Sequence, residues 1–398
     1  METIGLDLGT GAIKGVRWNS GKGITGRATR SVPLRRPEPG RVELDAEEYL
    51  RTILGLLAEL ATLPGEPLDA IAWDAASGNT VLCDNVGTPL RPAISWLDTR
   101  LPGWRPPEEW HVRQVTGWPA ITTFPLMHLE YFLRTEPELL ASAQVTMLNE
   151  LLSWRLTGKR GLDRSSATPF YLANQSTGEY HLPYLKHYHL TQEQLPPLMN
   201  TGETIGHIKP EFAVGDLTSS TRVVAGCFDH PAGARAANVE KPGNLLLSFG
   251  TSWVGFHPVL RREDVPEREL CDPFQSSHGG CWGAMFSVSS IGLEIEHFVR
   301  ERYGDTPERY EHLNSEGLNP TSEASSMMRQ VVGRFRDKLG GREFGRVVMI
   351  GGPSEGEAWE KHIADGLGIR PERCAYRSYS CAVGAAMIAA GKESHAAE

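Results

Sequence analysis

The chain has 398 residues, of which 40% are hydrophobic and 22% charged, and a formal net charge of -9. That length exceeds one ordinary core and predicts two large domains with a cleft between them, in a soluble globular protein rather than a disordered or fibrous one. The negative charge argues against a nucleic-acid partner, but it leaves room for an anion held by a local glycine-rich turn.

Thr3 to Leu8 reads as a strand, Asp7-Leu8-Gly9-Thr10-Gly11 as a tight turn, and Ile13 to Trp18 as the returning strand. Met1-Glu2-Thr3 enters that strand with no basic leader, and no apolar run reaches the length of a membrane span, so no membrane partner and a cytoplasmic location are expected. Ile24 to Leu34 supplies a third strand, Asp45 caps an apolar-periodic helix from Ala46 to Leu63, and Pro64-Gly65 ends it. Leu68 to Trp73 and Thr80 to Cys83 follow as strands, giving a mixed α/β order. Helices are predicted over Leu126 to Arg134, Glu138 to Ala143 and Leu148 to Leu156. Phe212 to Thr221 is the expected passage between a first domain, 1–221, and a second, 222–398.

The second half repeats the first in outline. Val223 opens a strand, and Leu245 to Phe249 and Trp253 to His257 flank a second turn, Phe249-Gly250-Thr251-Ser252. A helix around Ser290 to Arg302, another from Ser322 to Lys338, a strand Arg346 to Ile350, and helices Glu357 to Leu367 and Ala382 to Ala390 complete it. Glu393 to Glu398 read as a frayed end. Six cysteines (Cys83, Cys227, Cys271, Cys281, Cys374, Cys381) show neither a C-x-x-C pair nor zinc spacing and read as reduced structural thiols.

Glycine in such a turn can take positive φ and bring backbone N–H groups to an anion, and the threonine hydroxyl adds a donor. Either turn alone is an ordinary hairpin connection; their recurrence reads as a duplicated phosphate grip. Asp229 follows the strand around Val223 and precedes a helix, where it either accepts the proton of an attacking hydroxyl or caps the helix ahead of Pro231. Gly351-Gly352-Pro353 joins a strand to a helix, either under a planar base or phosphate or as a tight connection only. Asp7 is a partner for Mg²⁺ on nucleotide phosphates or a turn-stabilising side chain.

Together these pieces resemble the FGGY family of carbohydrate kinases, in order along almost the entire chain. Ile4 to Lys14 looks like the family's first phosphate motif, and Trp96-Leu97-Asp98-Thr99-Arg100 matches its Trp-x-Asp-x-Arg signature. Asp229 falls on the catalytic aspartate, Gly250-Thr251-Ser252 on the second phosphate motif, and Gly351-Gly352 with Ala364-Asp365-Gly366-Leu367-Gly368 on the adenosine motif. The resemblance implies a two-domain actin-like ATPase fold of the ribonuclease H-like kind. It also implies ATP and Mg²⁺ as cofactors, with Asp7 and Asp229 at the metal. Gly9, Thr10, Gly11, Lys14, Gly250, Thr251, Ser252, Gly351, Gly352 and Pro353 would face the nucleotide. Ser77, Gly78, Asn79, Trp96, Asp98, Arg100, His230 and His278 would face a small sugar, Trp96 as its platform and Asp98 as acceptor for its hydroxyls. The implied activity is ATP-dependent phosphorylation of a ketose or polyol, xylulose-like as a first assignment, with Asp229 as general base.

Three departures qualify the resemblance. No Gly-Glu-Arg-x-Pro segment follows His278, so the second domain is shortened. Trp73-Asp74-Ala75-Ala76-Ser77-Gly78-Asn79 stands where a Gln-Met-His type turn is usual, and Pro353 stands where a third glycine is usual. The shortening leaves a more open cleft or one completed by a second copy in a homodimer. It also keeps open two other readings: a catalytically weakened sugar- or nucleotide-binding regulatory protein, and a bare ATPase.

Overall fold

The computed structural model describes residues 1–250, 252–288 and 291–391. β1 (Glu2–Leu8) is buried along almost its whole length, which is why it reads as an apolar run rather than an alternation. It pairs antiparallel with β2 (Ala12–Asn19), which pairs with β3 (Gly23–Ser31). α1 (Ala46–Ala61) starts where the Asp45 side chain accepts the Glu48 N–H at 3.0 Å, and it buries Leu50, Ile53, Leu56, Leu57 and Leu60. β4 (Ala70–Ala75) lies parallel to β1 on its other side. Two helices that later position the site, α2 (Pro125–Thr135) and α3 (Leu148–Thr157), follow. The sheet is completed by β5 (Thr204–His207), β6 (Arg222–Val224) and β7 (Cys227–Phe228), in the order β5-β6-β4-β1-β2-β3 with β7 also on β4. Its apolar face, with Leu6, Leu8, Ile71 and Trp73, packs on α1 and α3 through Leu56, Leu60, Leu151 and Leu152.

The stretch Phe212 to Thr221 is not a passage between domains. Arg17 on β2, fully buried, pairs with Glu2 at 2.8 Å and Asp216 at 2.7 Å, which folds that loop onto the first sheet. β6 then adds to the same sheet. The chain divides into two compact units, one of Met1–Ala232 with the described residues from Ala382 on, the other of Gly233–Cys381, so the division falls later than the expected 221/222.

α4 (Asp229–Ala236) leads into the second unit. There β8 (Asn244–Phe249), β9 (Trp253–Val259), β10 (Leu270–Asp272) and β11 (Trp282–Val288) precede three helices, α5 (Ile291–Tyr303), α6 (Arg309–Gly317) and α7 (Glu323–Leu339). β12 (Arg346–Gly351), α8 (Glu357–Leu367) and β13 (Glu372–Arg373) follow. The sheet order is β10-β11-β9-β8-β12-β13. An antiparallel meander next to parallel strands therefore occurs in both units: β3-β2-β1-β4-β6 in the first and β11-β9-β8-β12-β13 in the second. α6 went unpredicted because it is polar almost throughout and buries only Leu313 and Gly317. The predicted frayed end, Glu393 to Glu398, lies outside the described residues.

The last helix, α9 (Ser380–Ala389), joins the first unit from Ala382 on because β1 is cut to receive it. A Cβ at Gly5 would stand 2.0 Å from the Ala382 carbonyl oxygen and 2.4 Å from the Ala386 nitrogen. Thr3 Oγ1 donates to the Ala386 carbonyl at 3.0 Å. Among the described residues no helix is long and apolar enough to cross a membrane, and the cysteines are unbridged.

Candidate active site

Three carboxylates stand in a row at the C-terminal ends of adjacent strands of the first unit, the edge where ligand sites of α/β sheets form. Asp7 on β1 is in register with Lys14 on β2 and with Asp74 on β4. Cys227 on β7 is in register with Asp74, and Asp229 comes two residues later as the first residue of α4. The sequence reading weighed Asp7 and Asp229 but passed over Asp74. Its only signal is a charge inside an otherwise apolar strand.

Burial is the leading cause of every shift in this row. It raises Asp7 to about 6, with Lys14 pulling the other way and Asp229 adding to the rise. It raises Asp229 to about 7, against the His230 N–H that donates to Asp229 Oδ1 at 2.8 Å. Asp74 has no exposed surface, and its carboxyl meets the Asp7 carboxyl, a pair that holds a hydrogen bond only while one of the two is protonated. It is held well above the usual carboxylate range by burial and by Asp7 and Asp229. His230 Nε2 lies 3.6 Å from Asp229 Oδ1, yet burial lowers its pKa to about 4, so at neutral pH it brings no charge to Asp229.

The turn beside Asp7 works differently from expectation. Neither Gly9 nor Gly11 is among the residues at positive φ. Glycine is needed at Gly9 because a Cβ would meet the Ala12 carbonyl oxygen at 2.8 Å, whereas at Gly11 it would meet nothing within 4 Å. Thr10 Oγ1 accepts the Trp96 indole N–H at 3.0 Å, and its own hydroxyl hydrogen remains as a donor.

In the second unit the Gly250 N–H donates to the Ser252 carbonyl at 3.2 Å; Thr251 lies outside the described residues. Gly351 has φ +91°, and its Cβ would fall 2.1 Å from the Phe249 carbonyl oxygen. Gly352 is open and Pro353 begins a short turn in which Ser354 Oγ donates to the Gly351 carbonyl at 2.6 Å. A pocket of about 570 Å³, walled by Phe249, Gly250, Trp253, Gly352, Pro353 and Trp359 among others, opens beside this loop. Its size and aromatic walls suit a planar base.

The residues expected to touch sugar are mostly spent inside the first unit. Asp98 has no exposed surface, and its oxygens accept the N–H groups of Val42 at 2.7 Å and Arg100 at 2.8 Å and the Arg100 guanidinium. The Arg100 side chain, 5% exposed, also pairs with Glu43 at 2.7 Å and lies over the Tyr131 ring. Asp98 and Arg100 therefore clamp a loop and present nothing to a ligand. Ser77, Gly78 and Asn79 are buried, with Gly78 at φ +97° against Phe124 and Asn79 Oδ1 accepting the Leu148 N–H at 2.7 Å. Trp96 keeps a partly exposed ring 6.2 Å from Phe124. His278 sits in an exposed turn of the second unit with Nδ1 3.0 Å from Ser277 Oγ.

Among the described residues no three or more His, Cys, Asp or Glu side chains are grouped to enclose a metal ion. Asp7 and Asp229 suit Mg²⁺ in the other way open to it, since that ion uses one or two carboxylates and completes its octahedron with water and phosphate oxygens. Two half-buried carboxylates, one raising the other, make a place where a divalent cation relieves repulsion.

Residues 3–235 match the FGGY family of carbohydrate kinases, N-terminal domain. The chain is similar to a xylulose kinase of Bacillus subtilis, 26% identical over 75% of this chain and 61% of that one. It is also similar to an L-xylulose/3-keto-L-gulonate kinase of Escherichia coli, 29% identical over 97% of this chain and 87% of that one. The chain thus spans about three fifths of the length of the first relative, 61%. Of solved structures, a ligand-bound xylulose kinase from Lactobacillus acidophilus superposes with a TM-score of 0.83 at 18% identity, covering 98% of this chain and 88% of that one.

Proposed function

We infer that this chain, which belongs to the FGGY family of carbohydrate kinases, transfers a phosphoryl group from ATP to a hydroxyl of a small sugar or polyol. Its fold is the two-domain actin-like one of that family's solved members. The observation that supports the reading is the row of Asp7, Asp74 and Asp229 beside the Gly9–Gly11 turn, because carboxylates and turn N–H groups on one sheet edge could supply a base, a cation ligand and phosphate donors.

Asp229 is the general base. With a pKa near 7 it is ionised in a useful fraction at neutral pH and basic enough to take a proton from an attacking hydroxyl. The Gly9–Gly11 backbone N–H groups and the Thr10 hydroxyl donate to phosphate oxygens, with Lys14 adding positive charge. Asp7, with Asp229, would hold Mg²⁺, which when bound offsets the charge of the phosphates. By itself, the second unit offers a pocket of about 570 Å³ suited to a planar base. A partly exposed Trp96 faces the acceptor.

ATP consumption across ketoses, polyols and sugar acids tests the reading. Sugar-dependent turnover that Asp229→Asn lowers by about a hundredfold or more is expected. Binding without turnover would favour the regulatory-protein reading, which the internally spent Asp98 and Arg100 also suit; turnover without any acceptor would favour a bare ATPase.

A further inference from the structure

A pocket of about 30 Å³ in the first unit is lined by Gly9 and Thr10 of the turn together with Tyr49, Asn79, Trp96 and Asn149, among others. One of its polar walls is unmatched. Asn149 is 4% exposed and its Oδ1 is buried without a partner. Its backbone is nonetheless pinned, since its carbonyl accepts the Trp73 indole N–H at 3.1 Å and the preceding Leu148 N–H donates to Asn79 Oδ1 at 2.7 Å. Tyr49 on α1 is 5% exposed and lines the same pocket, where its hydroxyl can donate and accept.

Buried polar groups are almost always paired, so an orphan on the wall of a cavity marks a place for a small polar group. The volume admits one group of about the size of water and excludes a ring. A tyrosine hydroxyl and an amide together are matched by a group that both donates and accepts, as an alcohol does. No Lys, Arg or His lines the pocket, so no cation there would pair with a carboxylate. A carboxylate there would be buried without a partner, which costs more than burying an alcohol.

We propose that this pocket is a subsite for the terminal, non-reacting CH₂OH of a neutral open-chain acceptor, held by Tyr49 and Asn149, and that these two residues select ketoses and polyols over sugar acids. The proposal rests on the kinase reading and narrows its substrate class. Steady-state kinetics with D-xylulose, xylitol and D-gluconate tests it. Tyr49→Phe, which keeps the ring, and Asn149→Ala are expected to raise KM for the two neutral acceptors about three- to tenfold. KM for ATP and kcat should stay within about twofold of the parent, and the parent should prefer the neutral acceptors to D-gluconate. Unchanged acceptor KM in variants with parental circular dichroism would mean the pocket holds only water and would overturn the proposal, as would a preference for D-gluconate. Should Asn149→Ala fail to fold, Tyr49→Phe decides alone. Calorimetry with xylitol in the absence of nucleotide separates the two claims. Xylitol binding that Tyr49→Phe weakens, in a protein with no turnover, supports the subsite and overturns the kinase reading; no binding and no turnover overturns both.

Discussion

Asp74 is the residue whose meaning changes most between sequence and structure. In the chain it is one charge in an apolar strand. In the fold it is a fully buried carboxyl against the Asp7 carboxyl. A carboxyl whose folded pKa lies above its unfolded value near 3.8 holds its proton more tightly when folded. It therefore favours the folded state fully below that value, and the contribution is lost as pH rises through the folded pKa. Asp74→Asn is expected to raise Tm at pH 8 and to leave it nearly unchanged at pH 4. It also removes a like charge from Asp7. A Tm at pH 8 equal to or below the parent's, measured by calorimetry in a protein of parental circular dichroism, would show that Asp74 is paired in solution. Asp98 allows the opposite test. Removing one partner of a buried ion pair strands the other, so Asp98→Ala should cost about 3 kcal/mol of stability in urea unfolding. A variant of parental stability with an altered KM for sugar would restore Asp98 as a ligand contact.

At the scale of elements, the hairpins, the α1 cap and most helices were legible because their signals are local: apolar runs, Asp45 before an amphipathic stretch, glycine after a strand. The reason for the glycines was not. The sequence suggests that both turn glycines serve positive φ, and the structure distinguishes them by close approach. Gly9→Ala would drive a Cβ onto a backbone oxygen at 2.8 Å, whereas Gly11→Ala meets nothing within 4 Å. The first should therefore raise KM for ATP about tenfold or more and the second should change it little, because only the first forces the turn to open. Equal effects in the same assay would remove the steric account. Gly5→Ala tests the packing of α9 in the same way. Its Cβ would lie 2.0 Å from the Ala382 carbonyl oxygen, and the expected result is a loss of about 1–3 kcal/mol with faster proteolysis of the last helix. Proteolysis at the parental rate would mean that helix is held elsewhere.

For the molecule as a whole, the acidic row predicts a dependence on pH and on cations. Asp7 near 6 and Asp229 near 7 both ionise against burial, so the ligand-free protein should lose stability as pH rises from about 4 to about 7, by the same sign argument. Mg²⁺ with ATP should recover more of that loss in the parent than in Asp7→Asn. An equal gain in both by thermal shift would separate Asp7 from the metal. If Asp229 is the base, kcat/KM should rise with pH through about 7 and level off. What the sequence by itself determined is what local pattern and motif spacing carry: a mixed α/β chain built twice over, a turn of Gly9 to Gly11 beside Asp7, Asp229 at a strand-to-helix junction, and the family those pieces share. What only the tertiary structure decided depends on neighbours distant in the chain. Arg17 and Asp216 place the 212–221 loop in the first unit, Gly5 admits the last helix, and Asp98 and Arg100 are occupied by Val42 and Glu43. The registers of β1, β4 and β7 bring Asp74 between Asp7 and Asp229. Whether a polar side chain is offered to a ligand or used up inside the protein is a property of its partners, and a one-dimensional pattern does not contain them.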